Sequence, residues 1–142
     1  MSAALHGTAL WAARRILAAG WSEAAAADLA TPRMRTGPDR VYATLSRYAP
    51  SRWVAEQWAE AAAQRAGPVA GCRASAAVVE VASPRWSLRS ADGGEVIATA
   101  RTVTWRRVVA IGRRRRCAPD CVGCAIGCPP LCPPRWRWRW LT

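Results

Sequence analysis

Apolar positions in the first half of the chain recur at helical spacing. Over residues 8–19, Leu10, Trp11, Ile16 and Leu17 gather near one face with Arg14 and Arg15 beside it, and Gly20 supplies a stop. Ser22 suits the N-cap of an Ala-rich helix reaching Ala30, with Glu23 in the first turn, where the helix dipole favours an acid. Thr31-Pro32 ends that segment, and residues 32–38 read as a basic turn. Pro38 then opens a third helix, over 38–48, on which Val41, Tyr42, Leu45 and Tyr48 recur. Ala49-Pro50 closes it. Ser51 caps a fourth, whose apolar stripe is Trp53, Val54, Trp58, Ala61 and Ala62, until Gly67-Pro68 breaks it.

After Gly71 the period changes to two. Residues 76–82 form an apolar run, Trp86 and Leu88 alternate with Ser87 and Arg89, and Ala91-Asp92-Gly93-Gly94 is a hairpin turn before a second alternating stretch over 95–111. This pattern predicts a three-strand antiparallel meander over 76–111. Beyond Gly112, Pro119, Pro129, Pro130, Pro133 and Pro134 interrupt any regular element. The expected architecture is therefore α+β. A small domain over 1–112 carries about four short helices (8–66) and then the meander. An irregular, disordered tail rich in Cys, Pro, Arg and Trp follows over 113–142. Truncation after Gly112 is expected to leave the fold intact.

Composition limits the core. Of 142 residues, 31 are Ala and only 23 are Leu, Ile or Val; Phe is absent. So few large aliphatics, with a net charge of +12, leave room for a small core only, to which nine Trp add area. All 21 basic residues are Arg, and Lys and Asn are missing as well. A GC-rich coding source accounts for that bias. Absence of Lys is thus no sign of a binding mode, and an unselected reading frame without function is one of three readings to test.

The charge itself is informative. Residues 1–100 hold 11 Arg against 8 carboxylates, whereas residues 101–142 hold 10 Arg against Asp120 alone. A basic end on a nearly neutral body suits a polyanion. Within the helical half, residues 22–30 and 38–48 could act as a helix-turn-helix presenting Arg33, Arg35, Arg40 and Arg47, although the connection is longer than usual. Near the end, Arg113, Arg114, Arg115 and Arg116 form a cationic block. Residues 135–140 then alternate Arg135, Trp136, Arg137, Trp138, Arg139 and Trp140. Extended, that run puts its arginines on one face and its indoles on the other. Such a ribbon suits single-stranded nucleic acid through stacking and phosphate contacts, or an anionic membrane interface. It also resembles designed Arg-Trp antimicrobial peptides over its six residues.

Cys117, Cys121, Cys124 and Cys128, with Pro129 next, form the other candidate site. The run resembles the iron–sulfur ligand run of bacterial ferredoxins, C-x2-C-x2-C-x3-C-P, but departs from it by one residue in the first spacing. The resemblance implies a cluster ligated by thiolates; zinc is the alternative metal. Cys132 or Cys72 would have to complete a cluster that the fourth Cys did not serve. The sub-run Cys117, Cys121, Cys124 also matches the radical SAM motif, but only 18 residues follow it, far too few for the barrel those enzymes need. With no export signal recognised, the thiols imply a reducing compartment, the cytoplasm.

Enzyme motifs are missing. His6 is the only histidine, and no phosphate-cradling or nucleophile-elbow motif occurs. Glu56 and Glu60 lie one helical turn apart and read as a solvated face. The expectation is a small, basic, non-enzymatic protein that binds DNA or RNA through phosphate contacts, with a membrane-surface protein as the alternative.

Overall fold

A computed structural model describes residues 2–20, 40–45, 50–65, 75–88, 94–114 and 136–141. The chain begins with strand β1 (Ser2–Ala9) and helix α1 (Leu10–Ala19), then strand β2 (Arg40–Leu45) and helix α2 (Pro50–Arg65). Strands β3 (Ser75–Ser83), β4 (Ser87–Leu88), β5 (Glu95–Thr99), β6 (Thr104–Arg114) and β7 (Trp136–Trp140) follow. All seven strands form one sheet in the order β4-β5-β2-β1-β3-β6-β7, antiparallel at every step.

This corrects the expected four-helix segment and three-strand meander. Two α-helices are present among the described residues, and the sheet has seven strands. Residues 40–45, expected within the third helix, are a strand. Val41, Tyr42 and Leu45 satisfy helical spacing, but the run is buried from Val41 to Leu45 between two neighbouring strands, and such a run cannot be told from a helix by period alone. Residues 2–9 are likewise a strand despite their alanines, because position in the sheet overrides local propensity. The expected helix over 22–30 lies outside the described residues. In the second half, β3 and β6 pair with each other, while β5 pairs with β2, so the strands do not run as a meander. The end of the chain, expected to be irregular, supplies β7.

Small residues set how closely the layers approach. A Cβ built on Gly7 would lie 2.7 Å from Ala59 N and closer still to Ala55 O, both backbone atoms of α2. That helix lies over β1, β3 and β2. Its buried residues are Ala55, Ala59, Ala62 and Ala63, whereas Trp53, expected in the buried stripe, is 63% exposed. Alanines face the sheet because nothing larger fits at that spacing.

Paired residues share a face, so the register sorts the core into two sides. On the α2 side, Leu5, Ala55, Val78, Val109 and Ala110 cluster, with Trp138 and Trp140 against them. Ala9, Ala12, Ala59, Ala63 and Ala76 form a second cluster there, covered by Trp136 and Trp138. On the opposite side, Leu10 and Ala13 of α1 pack on Ala77 and Val79, flanked by Trp105, Val108 and Ile111. Among the described residues, no helix is long and apolar enough to cross a membrane.

Candidate nucleic-acid interface

Strand β7 carries the alternation of arginine and tryptophan into the sheet. It pairs with β6 in unbroken register, Arg114 with Trp136, Arg113 with Arg137, Gly112 with Trp138, Ile111 with Arg139 and Ala110 with Trp140. The three indoles therefore lie on the α2 side, and Arg137 and Arg139 on the other.

The indoles are held there. Trp138 Nε1 donates to Glu60 Oε1 at 2.8 Å, and Trp140 Nε1 donates to Glu56 Oε1 at 2.7 Å. Trp136 stacks against Trp138 with ring centroids 6.4 Å apart, and Arg52 lies over the Trp140 ring at 4.9 Å. Two geometries match to make this clamp. Residues four apart on a helix rise about 6 Å, and residues two apart on a strand about 6.8 Å, so Glu56 and Glu60 meet alternate residues of β7. Gly112 makes room for the clamp, since a Cβ there would come within 2.6 Å of the Trp138 ring. Burial raises the pKa of Glu60; the Trp138 hydrogen bond opposes that shift and the nearby Glu56 charge adds to it.

The opposite face is cationic. Arg113 sits directly across from Arg137, both are exposed, and Arg139 follows two residues on, also exposed. Cross-strand neighbours have Cβ atoms about 5 Å apart, and like charges so placed repel. Arg113 Nη1 donates to Ser75 Oγ at 3.1 Å, a neutral partner, and no carboxylate among the described residues pairs with it. Helix α1, which packs over β3 and β6 on this side, exposes Arg14 and Arg15. The carboxylates among the described residues are Glu56, Glu60, Glu80 and Glu95. Glu80 pairs in register with Leu5 and lies 3.8 Å from Arg107; Glu95 pairs with Thr44, itself opposite Leu5. All four therefore belong to the α2 side. The described carboxylates thus share the α2 side with Arg52, Arg107 and Arg114, while the described ionic groups of β6 and β7 on the other side are arginines.

Of the other residues expected at the site, Arg40 is exposed at the start of β2, on the strand that replaces the second helix of the helix-turn-helix reading. Arg114 is at the end of β6, opposite Trp136. Arg33, Arg35, Arg47, Arg115, Arg116 and Arg135 lie outside the described residues, as do Cys117, Cys121, Cys124 and Cys128. Among the described residues, no three of His, Cys, Asp and Glu gather as metal ligands. Sequence reasoning missed Glu56 and Glu60. The usable signal was their spacing against that of Trp138 and Trp140.

His6 is the remaining titratable group of note. Its Nδ1 donates to Tyr42 O at 2.7 Å, and its ring meets Trp105 edge-on at 5.2 Å. Burial holds its pKa below the usual imidazole value, with the Tyr42 bond opposing. These contacts make it a packed side chain of the sheet. Comparison with protein-family models, with curated proteins and with solved structures finds no match.

Proposed function

We propose that this chain is a small cytoplasmic nucleic-acid-binding protein without catalytic activity, acting through phosphate contacts from the arginine face of β6 and β7. The observation that carries the reading is the exposed Arg113–Arg137 pair with Arg139 beside it. A like-charged cross-strand pair destabilises the free protein, and a phosphate seated between the guanidinium groups reverses the sign of that interaction. Arg14 and Arg15 extend the positive field on the same side, and a net charge of +12 favours encounter with a polyanion.

The test is binding of the full chain to labelled nucleic acid, followed by fluorescence anisotropy between about 50 and 200 mM salt. Log affinity should fall linearly with log salt concentration. The variant Arg113→Gln/Arg137→Gln/Arg139→Gln, checked for an unchanged melting curve, should flatten the slope by about two to three and weaken binding at least about tenfold at 0.1 M salt. Salt-insensitive binding, or a variant as tight as the parent, would sink the proposal.

A further inference from the structure

We infer that the polyanion this face fits is a nucleic-acid duplex gripped by its backbone without reading base sequence; the inference rests on the preceding reading and names its ligand class. Proteins that hold single strands combine cations with aromatic platforms, and each stacked base is worth about 1–3 kcal/mol. The sequence of β7 offers both ingredients in alternation, but the strand sends them to opposite sides of the sheet. Trp138 and Trp140 are further fixed by Glu60 and Glu56, and Trp136 by stacking on Trp138. No rotamer change brings an indole of β7 to the arginine side. Only a register slip of one residue would do so, and it would turn Arg137 and Arg139 into the α2 core. Trp105, on the arginine side, meets the edge of His6. Trp86, also on that side, donates its Nε1 to Ser2 O at 2.9 Å. That leaves Trp11 on α1, 42% exposed beside Arg14 and Arg15, as the exposed indole of that side among the described residues.

A surface that gains from charge without stacking favours the ligand of higher charge density. Each phosphate neutralised contributes about 0.9 to the salt slope on a duplex and about 0.7 on a single strand. For three to five arginines the difference amounts to about fourfold to tenfold in affinity per decade of salt, in favour of the duplex. Shape acts in the same direction. Arg113, Arg137 and Arg139 form a two-dimensional array on a sheet, with spacings of about 5 Å across strands and about 6.8 Å along β7. A duplex presents its phosphates already ordered, whereas a flexible strand loses conformational freedom to match them.

The experiment titrates the full chain with two duplexes of unrelated sequence, a single strand of the same length, and anionic phospholipid vesicles. The expected result is equal affinity for the two duplexes within about twofold, and a single strand weaker by at least about fourfold at 0.1 M salt. Indole emission should stay unchanged at saturation, and Trp11→Ala should leave duplex affinity unaltered. A single strand bound as tightly as the duplex, with quenched indole emission, overturns this inference and leaves polyanion binding standing. Tenfold discrimination between the duplexes overturns the sequence-independent part. Binding to vesicles but to neither nucleic acid overturns this inference and the proposed function together. A triple arginine variant that binds duplex like the parent does the same.

Discussion

Replacing Gly7 by alanine tests the close packing of α2 on β1. The added methyl would lie 2.7 Å from Ala59 N and nearer still to Ala55 O. Both are backbone atoms in the middle of α2, so no side chain can swing aside; the whole helix must lift. Lifting it loosens Ala55 against Leu5 and Val78, and Ala59 and Ala63 against Ala9 and Ala76. Overpacking of a core usually costs about 1–3 kcal/mol, and an immovable obstacle puts Gly7→Ala at or above about 3 kcal/mol. For a chain of this size each kcal/mol lowers Tm by roughly 3 °C, so Tm should drop by about 10 °C. Gly112→Ala is the internal control. The nearest atoms to its methyl belong to the Trp138 ring, a side chain on the edge strand that can shift by a few tenths of an ångström where a helix backbone cannot, and the loss should be smaller. Urea denaturation followed by circular dichroism measures both. If Gly7→Ala melts within about 0.5 kcal/mol of the parent, a value ordinary for surface substitutions, α2 does not sit on β1 as described. A parent chain that shows no cooperative melt would remove the premise and favour the unselected reading frame.

Three further outcomes are expected. Glu60→Ala should cost about 1–3 kcal/mol by leaving the Trp138 indole without its acceptor, whereas Glu60→Gln keeps an acceptor and sheds the charge that burial disfavours, so it should match or exceed the parent at neutral pH. Because the folded pKa of Glu60 is raised, its charged form weakens the fold as pH rises through that pKa, and the difference between parent and Glu60→Gln should widen in that direction; a constant difference would contradict it. His6 has the opposite sign: its folded pKa is lowered, the unfolded chain takes up the extra proton, and stability should fall as pH drops below about 6.5 toward the folded value. Melting curves of His6→Gln should lack that component. Finally, if the Cys117, Cys121, Cys124 and Cys128 run ligates a metal, protein prepared without oxygen should hold stoichiometric iron or zinc, lost in Cys121→Ser; fully titratable, metal-free thiols after reducing purification would exclude it.

What could be read from the chain alone followed the strength of each local signal. The helix over 51–66 was legible from its cap and its flanking Pro50 and Gly67-Pro68, and α2 spans Pro50–Arg65. Its orientation was not, because bulk suggested that Trp53 faces inward, while the close approach at Gly7 admits only alanine. The alternation of 135–140 told which residues would share a face if the run were extended. The prolines before it pointed to an irregular tail, an expectation that strand β7 overturns. Its partner was hidden, since nothing local says that an indole near the C-terminus will seek a carboxylate on a helix 78 or 84 residues earlier. Residues 40–45 failed for a different reason. A short, wholly buried run has no polar face to report its period, and only the neighbouring strands decide it. The cationic site was visible as charge imbalance; its geometry, three arginines on one plane, required the register of β6 and β7.

The placement of β7 has a kinetic meaning. β1, which precedes the other six strands in the chain, lies inside the sheet between β2 and β3, while β7, which follows them, lies at one edge. β1 must wait for β3, some seventy residues away, and α2 must wait longer for the indoles that cover its Ala59 and Ala63. Contacts so distant in sequence make folding slow and leave apolar surface uncovered in the meantime. Until β7 is in place, a folding chain offers the exposed edge of β6 and a helix flank bearing Glu56 and Glu60 without their donors. Removal of the C-terminal residues would therefore be felt first as failure to reach or keep the native state. The segment that looks dispensable in the sequence acts as the final closure of the sheet, and a truncation there would report on the speed and completeness of folding before it reported on binding.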